Sequence, residues 1–371
     1  MQSALIIGGG PAGATAATLL ARAGQTVTLI ERAPGPVDKV CGDFLSGEAV
    51  SLARSLGVEP LSLGAQPVSR LRLICGTRTA ETELPFAALS LSRRRFDEAL
   101  LCGAETACAR VLRGHAVTGI EQTGTDIGVR TQDLGILTAD RVFLATGKHD
   151  LRGMPRGARS DPGRRPIGLK MYYRLTPTEA DALSGHVELM LFPGGYAGLQ
   201  AVEDGQAVLC LLTAPSRDLA GPAGWAQLCE RLTIACPHLR QRLDGAQPLG
   251  DRPHAIAGLP YGFLHRHRAT DHPALYRLGD QAAVIPSLTG DGVAIAMHSA
   301  TLATQSVMQG QNAGQFAAHL HRTLARQMRI AGAVHKAGTA PGLGHLVVWA
   351  GRTWPWVMRW VAAMTRVSGG G

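Results

Sequence analysis

The residues that could do chemistry lie in two groups, one at each end of the chain. In the first, Gly8, Gly10 and Gly13 fill the pattern G-x-G-x-x-G within Gly8-Gly9-Gly10-Pro11-Ala12-Gly13. The first glycine permits a tight turn, the second lets the backbone approach a pyrophosphate, and the third lets a helix pack close to the preceding strand. A helix opening at this turn offers free N–H groups and a partial positive charge to phosphates. Glu31 follows 18 residues after Gly13, with Arg32 beside it. That is near the distance at which an acid grips a ribose hydroxyl. The chemistry implied is dinucleotide binding. Cys41, in Lys39-Val40-Cys41-Gly42-Asp43, offers a thiol that either works beside such a ligand or is a buried, inert cysteine.

The second group begins at Gly279-Asp280, where a short apolar strand ends in a carboxylate. An unpaired buried carboxylate costs several kcal/mol, so Asp280 needs donors, and sugar hydroxyls are suitable ones. The run Pro286-Ser287-Leu288-Thr289-Gly290-Asp291-Gly292-Val293-Ala294 then turns into a helix. N–H groups at that helix start can stabilise negative charge by roughly 0.3–1 kcal/mol. The plainer readings are an N-cap aspartate and an ordinary helix entry.

The elements that must position these groups follow from the apolar pattern. Ala4 to Ile7 is a buried strand, the Ala-rich run to Ala23 a helix, and Val27 to Ile30 a second strand. Ala33-Pro34-Gly35-Pro36 is a loop by composition. Gly47 to Leu56 reads as a helix, Arg70 to Cys75 and Thr79 to Leu84 as strands about Gly76, and Ser92 as the N-cap of another helix. Val111 to Ile120 and Asp126 to Thr131 read as strands, and Asp140 to Gly147 as a short buried strand ending at Thr146-Gly147. The Gly-, Pro- and Arg-rich stretch from Arg152 to Arg165 reads as a linker or mobile loop. From Ile167 to Thr213 the chain alternates like a sheet. Helices are expected over Trp225 to Ala235, Asp291 to Met308 and Gln315 to His335, with a strand from Leu275 to Asp280.

Composition narrows the class. A chain of 371 residues is long enough for two joined domains. No apolar run reaches the roughly 18 uncharged residues of a membrane span, and no signal peptide precedes the first strand. The seven cysteines are scattered without C-x-x-C, which points to a reducing cytoplasm and no structural zinc. His265 and His267 sit between arginines with no acid or cysteine spacing that completes a metal site. The net charge of +9 comes with arginine clusters but no nucleic-acid recognition module, so anionic cofactors or an anionic membrane surface are the expected partners.

These separated motifs, in this order, resemble the flavin-dependent superfamily that joins geranylgeranyl reductases to the aromatic hydroxylases (group A flavin monooxygenases). The resemblance covers roughly Met1 to Met308. Beside the glycine fingerprint and Glu31, Arg93 followed by Phe96-Asp97 resembles the family's R-x-x-F-D, whose Arg reaches the phosphate or ribitol side of the flavin. Gly279-Asp280 is similar to its G-D motif, and Pro286 to Val293 to its P-x-x-G-x-G turn. Lys39 to Asp43 resembles the C-G-D segment beside the flavin in the reductases. Three features depart from the pattern. Thr146-Gly147-Lys148-His149 stands where hydroxylases carry Asp-Gly; Tyr196 to Ala201 lacks the Trp, Phe and Pro of the reductases' Y-x-W-x-F-P; and the halogenases' W-x-W-x-I-P is absent.

The resemblance implies an α/β fold: a Rossmann-like FAD-binding domain of the glutathione-reductase type, para-hydroxybenzoate-hydroxylase-like, with an interleaved antiparallel-sheet substrate domain and a helical C-terminus. The expected division is 1–65, 90–165 and 270–310 for FAD, 66–89 and 166–269 for substrate, and 311–371 for the helical tail. The cofactor contacts implied are Gly8, Gly10, Pro11, Ala12, Gly13, Glu31, Arg32, Cys41, Gly42, Arg93, Thr146, Gly147, Gly279, Asp280, Pro286, Gly290, Asp291, Gly292 and Val293. Cys41 is the catalytic candidate, as proton donor.

The leading activity is reduction of a carbon–carbon double bond in a hydrophobic, lipid- or polyketide-like substrate, with NAD(P)H reducing FAD. The alternatives are a monooxygenase working through a C4a-hydroperoxide and a non-catalytic flavin-binding, membrane-associated protein. Four of the five tryptophans fall between Trp349 and Trp360, among Arg352, Arg359 and Arg366. That segment suits either a membrane interface or a lid over an apolar tunnel. The expected location is the cytoplasm, with peripheral contact at the inner face of the membrane.

Overall fold

The structure, a computed structural model, describes residues 3–123, 126–156, 166–215 and 224–367. Ser3–Ile7, Thr26–Glu31, Arg110–Arg113, Arg141–Leu144 and Leu275–Arg277 form a five-stranded parallel sheet with Ser3–Ile7 at its centre. Such sheets are covered on both faces, which is why these strands read as continuous apolar runs. On one face lie the helices Pro11–Arg22, Arg93–Thr106 and Gly292–Met308, packed around a core that includes Leu20, Phe96, Leu100 and Met297. A three-stranded antiparallel sheet, Val117–Thr123, Asp126–Thr131 and Ile136–Ala139, supplies Ile127 and Val129 to the opposite face.

The second layer is a nine-stranded sheet. Its path runs Gln247–Pro248, Ile167–Arg174, Ala207–Thr213, Gly195–Ala201, Gly185–Phe192, Gln66–Cys75, Arg78–Ser90 and Phe44–Leu45, with His254–Ala257 paired to Ile167–Arg174. All its pairs are antiparallel except Gly185–Phe192 with Gln66–Cys75. Phe44–Leu45 joins this sheet directly after the Lys39–Asp43 loop, so the loop lies where the two layers meet. The α/β architecture, with its antiparallel second sheet and helical C-terminus, is the one the sequence implied.

Several elements differ from the apolar pattern. The hairpin strands extend to Gln66–Cys75 and Arg78–Ser90, because a bulge between Val68 and Arg70 lets pairing continue past the alternation break at Pro85. Val111 to Ile120 is two strands in different sheets, separated at Gly114, which adopts φ +82°. The reading of Arg152 to Arg165 as a loop falls partly outside the described residues. The tail after the long helix Ala313–Thr339 is a hairpin of two helices, Leu343–Thr353 and Pro355–Met364, broken at Trp354. Pro355 occupies the first turn of the second helix, where its missing N–H is not needed. No helix among the described residues is long and apolar enough to cross a membrane.

Candidate active site

A cavity of about 900 Å³ runs between the two layers. At one end the N-terminal turn is built from backbone alone. Gly8 adopts φ +105°, and a Cβ there would lie 2.5 Å from the Ala145 carbonyl oxygen. A Cβ on Gly13 would lie 1.8 Å from the Gly8 carbonyl oxygen, so the helix can sit this close only with glycine. Gly10 is different: its Cβ position is open, and the nearest atoms are Arg93 Nη2 at 3.6 Å and Lys39 Nζ at 3.8 Å. The helix beginning at Pro11 has no side-chain cap, so its first N–H groups face the cavity unspent.

Arg93 lies above this turn. It pairs bidentately with Asp97 one turn on, at 2.6 and 2.7 Å, and Lys39 reaches the same carboxylate at 3.0 Å. Burial alone would raise the Asp97 carboxyl; Arg93 and Lys39 outweigh it and hold the group below the usual carboxylate range. Two cations against one acid leave the group net positive beside the open glycine. Glu31 accepts from the Gly9 and Ala33 N–H groups at 2.6 and 2.9 Å, bracing the turn from the side while lining the cavity with Arg32. Opposite, Gly279, Asp280, Gly290, Gly292 and Val293 line the wall with Thr146 and Gly147. Among the described residues, none hydrogen-bonds the Asp280 carboxylate. The buried Arg156 holds its backbone instead, donating to the carbonyls of Asp280 and Gly147 at 3.2 Å each.

The Lys39–Asp43 loop forms the middle of the cavity. Three of its carbonyls are taken: Lys39 by Lys170, Val40 by Lys148 and Gly42 by Gln200. Asp43 is fully buried at φ +58° and pairs with the equally buried Lys170 at 2.7 Å. Tyr172 donates to the same carboxylate at 2.8 Å. Burial pushes the Asp43 carboxyl up, and Lys170 opposes it. Cys41, fixed between these anchors, lines the cavity close enough to Arg93 to interact with its charge.

The far end is apolar. Leu71, Leu73, Leu189, Leu191 and Leu259 supply the sheet side, and Val347, Val357, Met358 and Val361 of the C-terminal hairpin close over them. The same hairpin turns Trp349, Trp354, Trp356 and Trp360 outward, each roughly half exposed (50, 45, 65 and 52%). The tail is therefore both a wall of the cavity and an apolar outer surface.

Sequence reading and structure part at a few residues. Gly13 acts in helix–strand packing, and neither it nor Pro286 lines the cavity. Asp291 is buried with its carboxylate turned inward, accepting from Ser46, Gln327, Arg366 and the Val367 N–H; only its backbone belongs to the turn. His265 and His267 do gain an acid: the fold brings Asp271 alongside, with donor atoms of the three within 4.8 Å of one another. Burial, then Arg277, pushes His265 down to about 4, and the Arg268 backbone N–H donates to one Asp271 oxygen. Reading by motif missed Lys39, Lys148, Arg156, Gln200, Tyr261, Ser287 and Arg366. Each acts on a segment distant in sequence, which spacing does not register.

The donor set fits FAD: a glycine cradle at an uncapped helix start, a net-positive pair above it, a carboxylate with no hydrogen-bond partner among the described residues, and a second helix start at Gly292. A family model described as an FAD binding domain matches residues 1–135. The chain is similar to the digeranylgeranylglycerophospholipid reductase 1 of Methanothermobacter thermautotrophicus, 27% identical over 320 residues, covering 81% of this chain and 75% of that one. It is similar to digeranylgeranylglycerophospholipid reductase 2 of Methanopyrus kandleri at 29% identity over 325 residues, 85% of this chain and 76% of that one. The fold superposes on the flavin-dependent brominase Bmp2 with a TM-score of 0.79, 17% identity, and coverage of 98% of this chain and 93% of the brominase. The chain carries an FAD-binding domain, is similar to the superfamily of geranylgeranyl reductases and aromatic hydroxylases, and is an FAD-dependent oxidoreductase.

Proposed function

We propose that this enzyme reduces a carbon–carbon double bond in a hydrophobic, lipid-like substrate, with NAD(P)H as the electron source. The observation that carries this reading is the continuity of one cavity from the glycine cradle to an apolar end walled by leucines and the C-terminal hairpin. The names of the two archaeal relatives support a lipid alkene as the reacting group. Bound FAD would supply the two-electron chemistry. The N–H groups at the Pro11 helix start and the cation of Arg93 would hold its phosphates, Asp280 its sugar hydroxyls, and the Gly292 helix start its ring edge. Cys41, immobilised by its neighbours' hydrogen bonds, would hold the proton that the reduced double bond requires.

The outward tryptophans, with Arg352 and Arg359 exposed among them, would seat the hairpin in an anionic lipid surface, next to the apolar end of the cavity.

The test is anaerobic turnover of the holoenzyme with a geranylgeranyl lipid and each nicotinamide, read by product mass. Gain of two hydrogens is expected. Gain of one oxygen in air, with no hydrogenated product, would select the monooxygenase reading instead. Cys41→Ser should slow reduction by at least ~10²-fold while the flavin spectrum persists. Sedimentation with anionic vesicles should be weakened by Trp356→Ala with Trp360→Ala; unchanged partitioning would remove the membrane contact.

A further inference from the structure

The end of strand Leu275–Arg277 and the loop before it gather charges that the functional reading leaves unused. Arg277 follows Leu275 by two residues, so its side chain leaves the parallel sheet on the same face, the one away from the helices. It is buried, at 8% exposure, and its Nη1 has no hydrogen-bond partner. Among the described residues, none forms an ion pair with its guanidinium. Burial works against this charge; Asp271 and then Asp150 favour it from a distance, while Arg268 and Arg156 oppose it. Asp150 is already paired with Arg156, at 2.5 Å. A buried cation without a partner is unfavourable, and an anion seated against it would remove the penalty.

The loop brings further donors to the same place. Arg277 and Arg268 both act on His265, which stands with His267 and Asp271 in one group. Two arginines against one acid leave this cluster net positive, and the Arg268 side chain is exposed and free to turn toward a ligand. The cluster adjoins the cofactor end of the cavity. Arg277 pairs with Leu144 in the sheet and lies three residues before Asp280. Asp150 lines the cavity, and Arg156 beside it holds the carbonyls of Gly147 and Asp280. The cluster is far from the C-terminal hairpin. His267 rests at the start of helix Ala313–Thr339, where a Cβ on Gly314 would lie 3.1 Å from its ring. The hairpin begins at the other end, where Gly344 packs against the Gly338 carbonyl. The 27 residues between those ends rise 1.5 Å each, a separation of about 40 Å.

We propose that Arg277, with Arg268 and His267, binds a phosphate group of the nicotinamide dinucleotide that brings electrons to the flavin. The proposal rests on the nicotinamide donor named above and gives it a docking point. Guanidinium groups suit a phosphate because their fixed forks of N–H donors match its oxygens. A lipid headgroup carries the same chemistry, but the lipid surface proposed above meets the hairpin at the far end of the long helix. A water-soluble dinucleotide has no such constraint, and one anchored here lies beside the Gly147–Asp280 wall of the cofactor site.

The test is titration calorimetry of the oxidised holoenzyme with adenosine 5′-diphosphate, adenosine 2′,5′-bisphosphate and glycerol phosphate, the last standing in for a lipid headgroup. At least one nucleotide should bind the parent more tightly than glycerol phosphate, with the flavin absorbance showing that FAD is not displaced. Arg277→Met should weaken that nucleotide about 10- to 100-fold. Thermal unfolding supplies a second readout. Without nucleotide the variant should melt no lower than the parent, because the substitution removes a buried charge that has no partner; with nucleotide only the parent should gain. A variant that melts far below the parent without nucleotide would mean that a protein group already holds Arg277, and would overturn the proposal. So would nucleotides that bind parent and variant alike, or that bind neither. Glycerol phosphate binding tightest, and lost in the variant, would assign the phosphate to a lipid and overturn the dinucleotide. Double-bond reduction stands through all of these outcomes, since dithionite can reduce the flavin and product mass reports the alkene; failure of that reaction would leave the nucleotide titrations unchanged.

Discussion

The two ends of the cavity are made in different ways. The end at the glycine turn is a backbone object: Gly8 and Gly13 are fixed by carbonyl oxygens 2.5 and 1.8 Å from where a Cβ would lie, and in the proposed reading the helix N–H groups would hold the cofactor. The substrate end is a side-chain object, with leucines from several strands, two tyrosines, a serine and the inner face of a helical hairpin. A backbone site tolerates almost no substitution at its glycines and little variation in ligand. A side-chain site can be refitted one residue at a time without moving the scaffold. That contrast fits a fold shared by this chain and a brominase at 17% identity.

The contrast is broken most sharply at Gly13. A valine there places two methyl groups where the Gly8 carbonyl already stands, so the helix must move off the strand and the cradle opens. Gly13→Val should abolish flavin retention entirely, measured as the yellow absorbance of the purified protein. Leu189→Ala, at the other end, should keep its colour. A yellow Gly13→Val protein would mean that the cradle is not held by close backbone contact.

The junction between the ends is the next test. Lys170 and Asp43 are both fully buried and paired, and removing one partner leaves the other charge without compensation. Lys170→Met should cost about 3–5 kcal/mol of stability. Adding Asp43→Asn, which removes the orphaned charge and tolerates the left-handed backbone at φ +58°, should restore most of the loss. The readout is denaturant unfolding of both variants. A loss below ~1 kcal/mol in the single variant would show that water reaches the pair.

How much of this was legible follows the same divide. The glycine fingerprint, Glu31 and the helix between them lie within one short stretch, and each residue type has a backbone reason to be there. The short apolar strand and the turn at Gly290 announce themselves by composition in the same way, although the strand ends at Arg277 and Asp280 lies in the helical turn after it, where Gly279 adopts φ +55°. The substrate end has no such signal. Tyr196 and Ser287 are 91 positions apart, Asp43 and Lys170 are 127, and Thr289 and Arg366 are 77. Nothing in the local pattern around Lys170 distinguishes a buried ion pair from an outward-facing strand lysine; only the register of Ile167–Arg174 against the Lys39–Asp43 loop decides it. Asp291 shows the reverse error: its position in a glycine turn suggested a ligand contact, while its side chain serves the tail.

Asp291 also gives the smallest of the expected effects, and one that depends on pH. Its carboxyl lies at the start of helix Gly292–Met308, wholly buried, and it ties the C-terminal Arg366 and Val367 to that helix and to Gln327. Burial raises it to about 6; Arg366 opposes the rise, and Glu48 adds to it. An unfolded chain releases this proton near 3.8, so between about pH 4 and 6 the folded form holds a proton that the unfolded form has given up. The stability contributed by the protonated carboxyl is complete below pH 4 and is lost as pH rises through 6. Asp291→Asn carries no such proton, so the difference in unfolding free energy between the parent and this variant should shift against the parent by roughly 1–3 kcal/mol from pH 4 to pH 7. Because Asp291 anchors the tail, the change should appear first as looser protection of 355–367 in hydrogen exchange at pH 7 than at pH 4.5, after correction for intrinsic rates. A difference between parent and variant that stays flat across this range would place the Asp291 carboxyl at its ordinary value, with Arg366 cancelling burial.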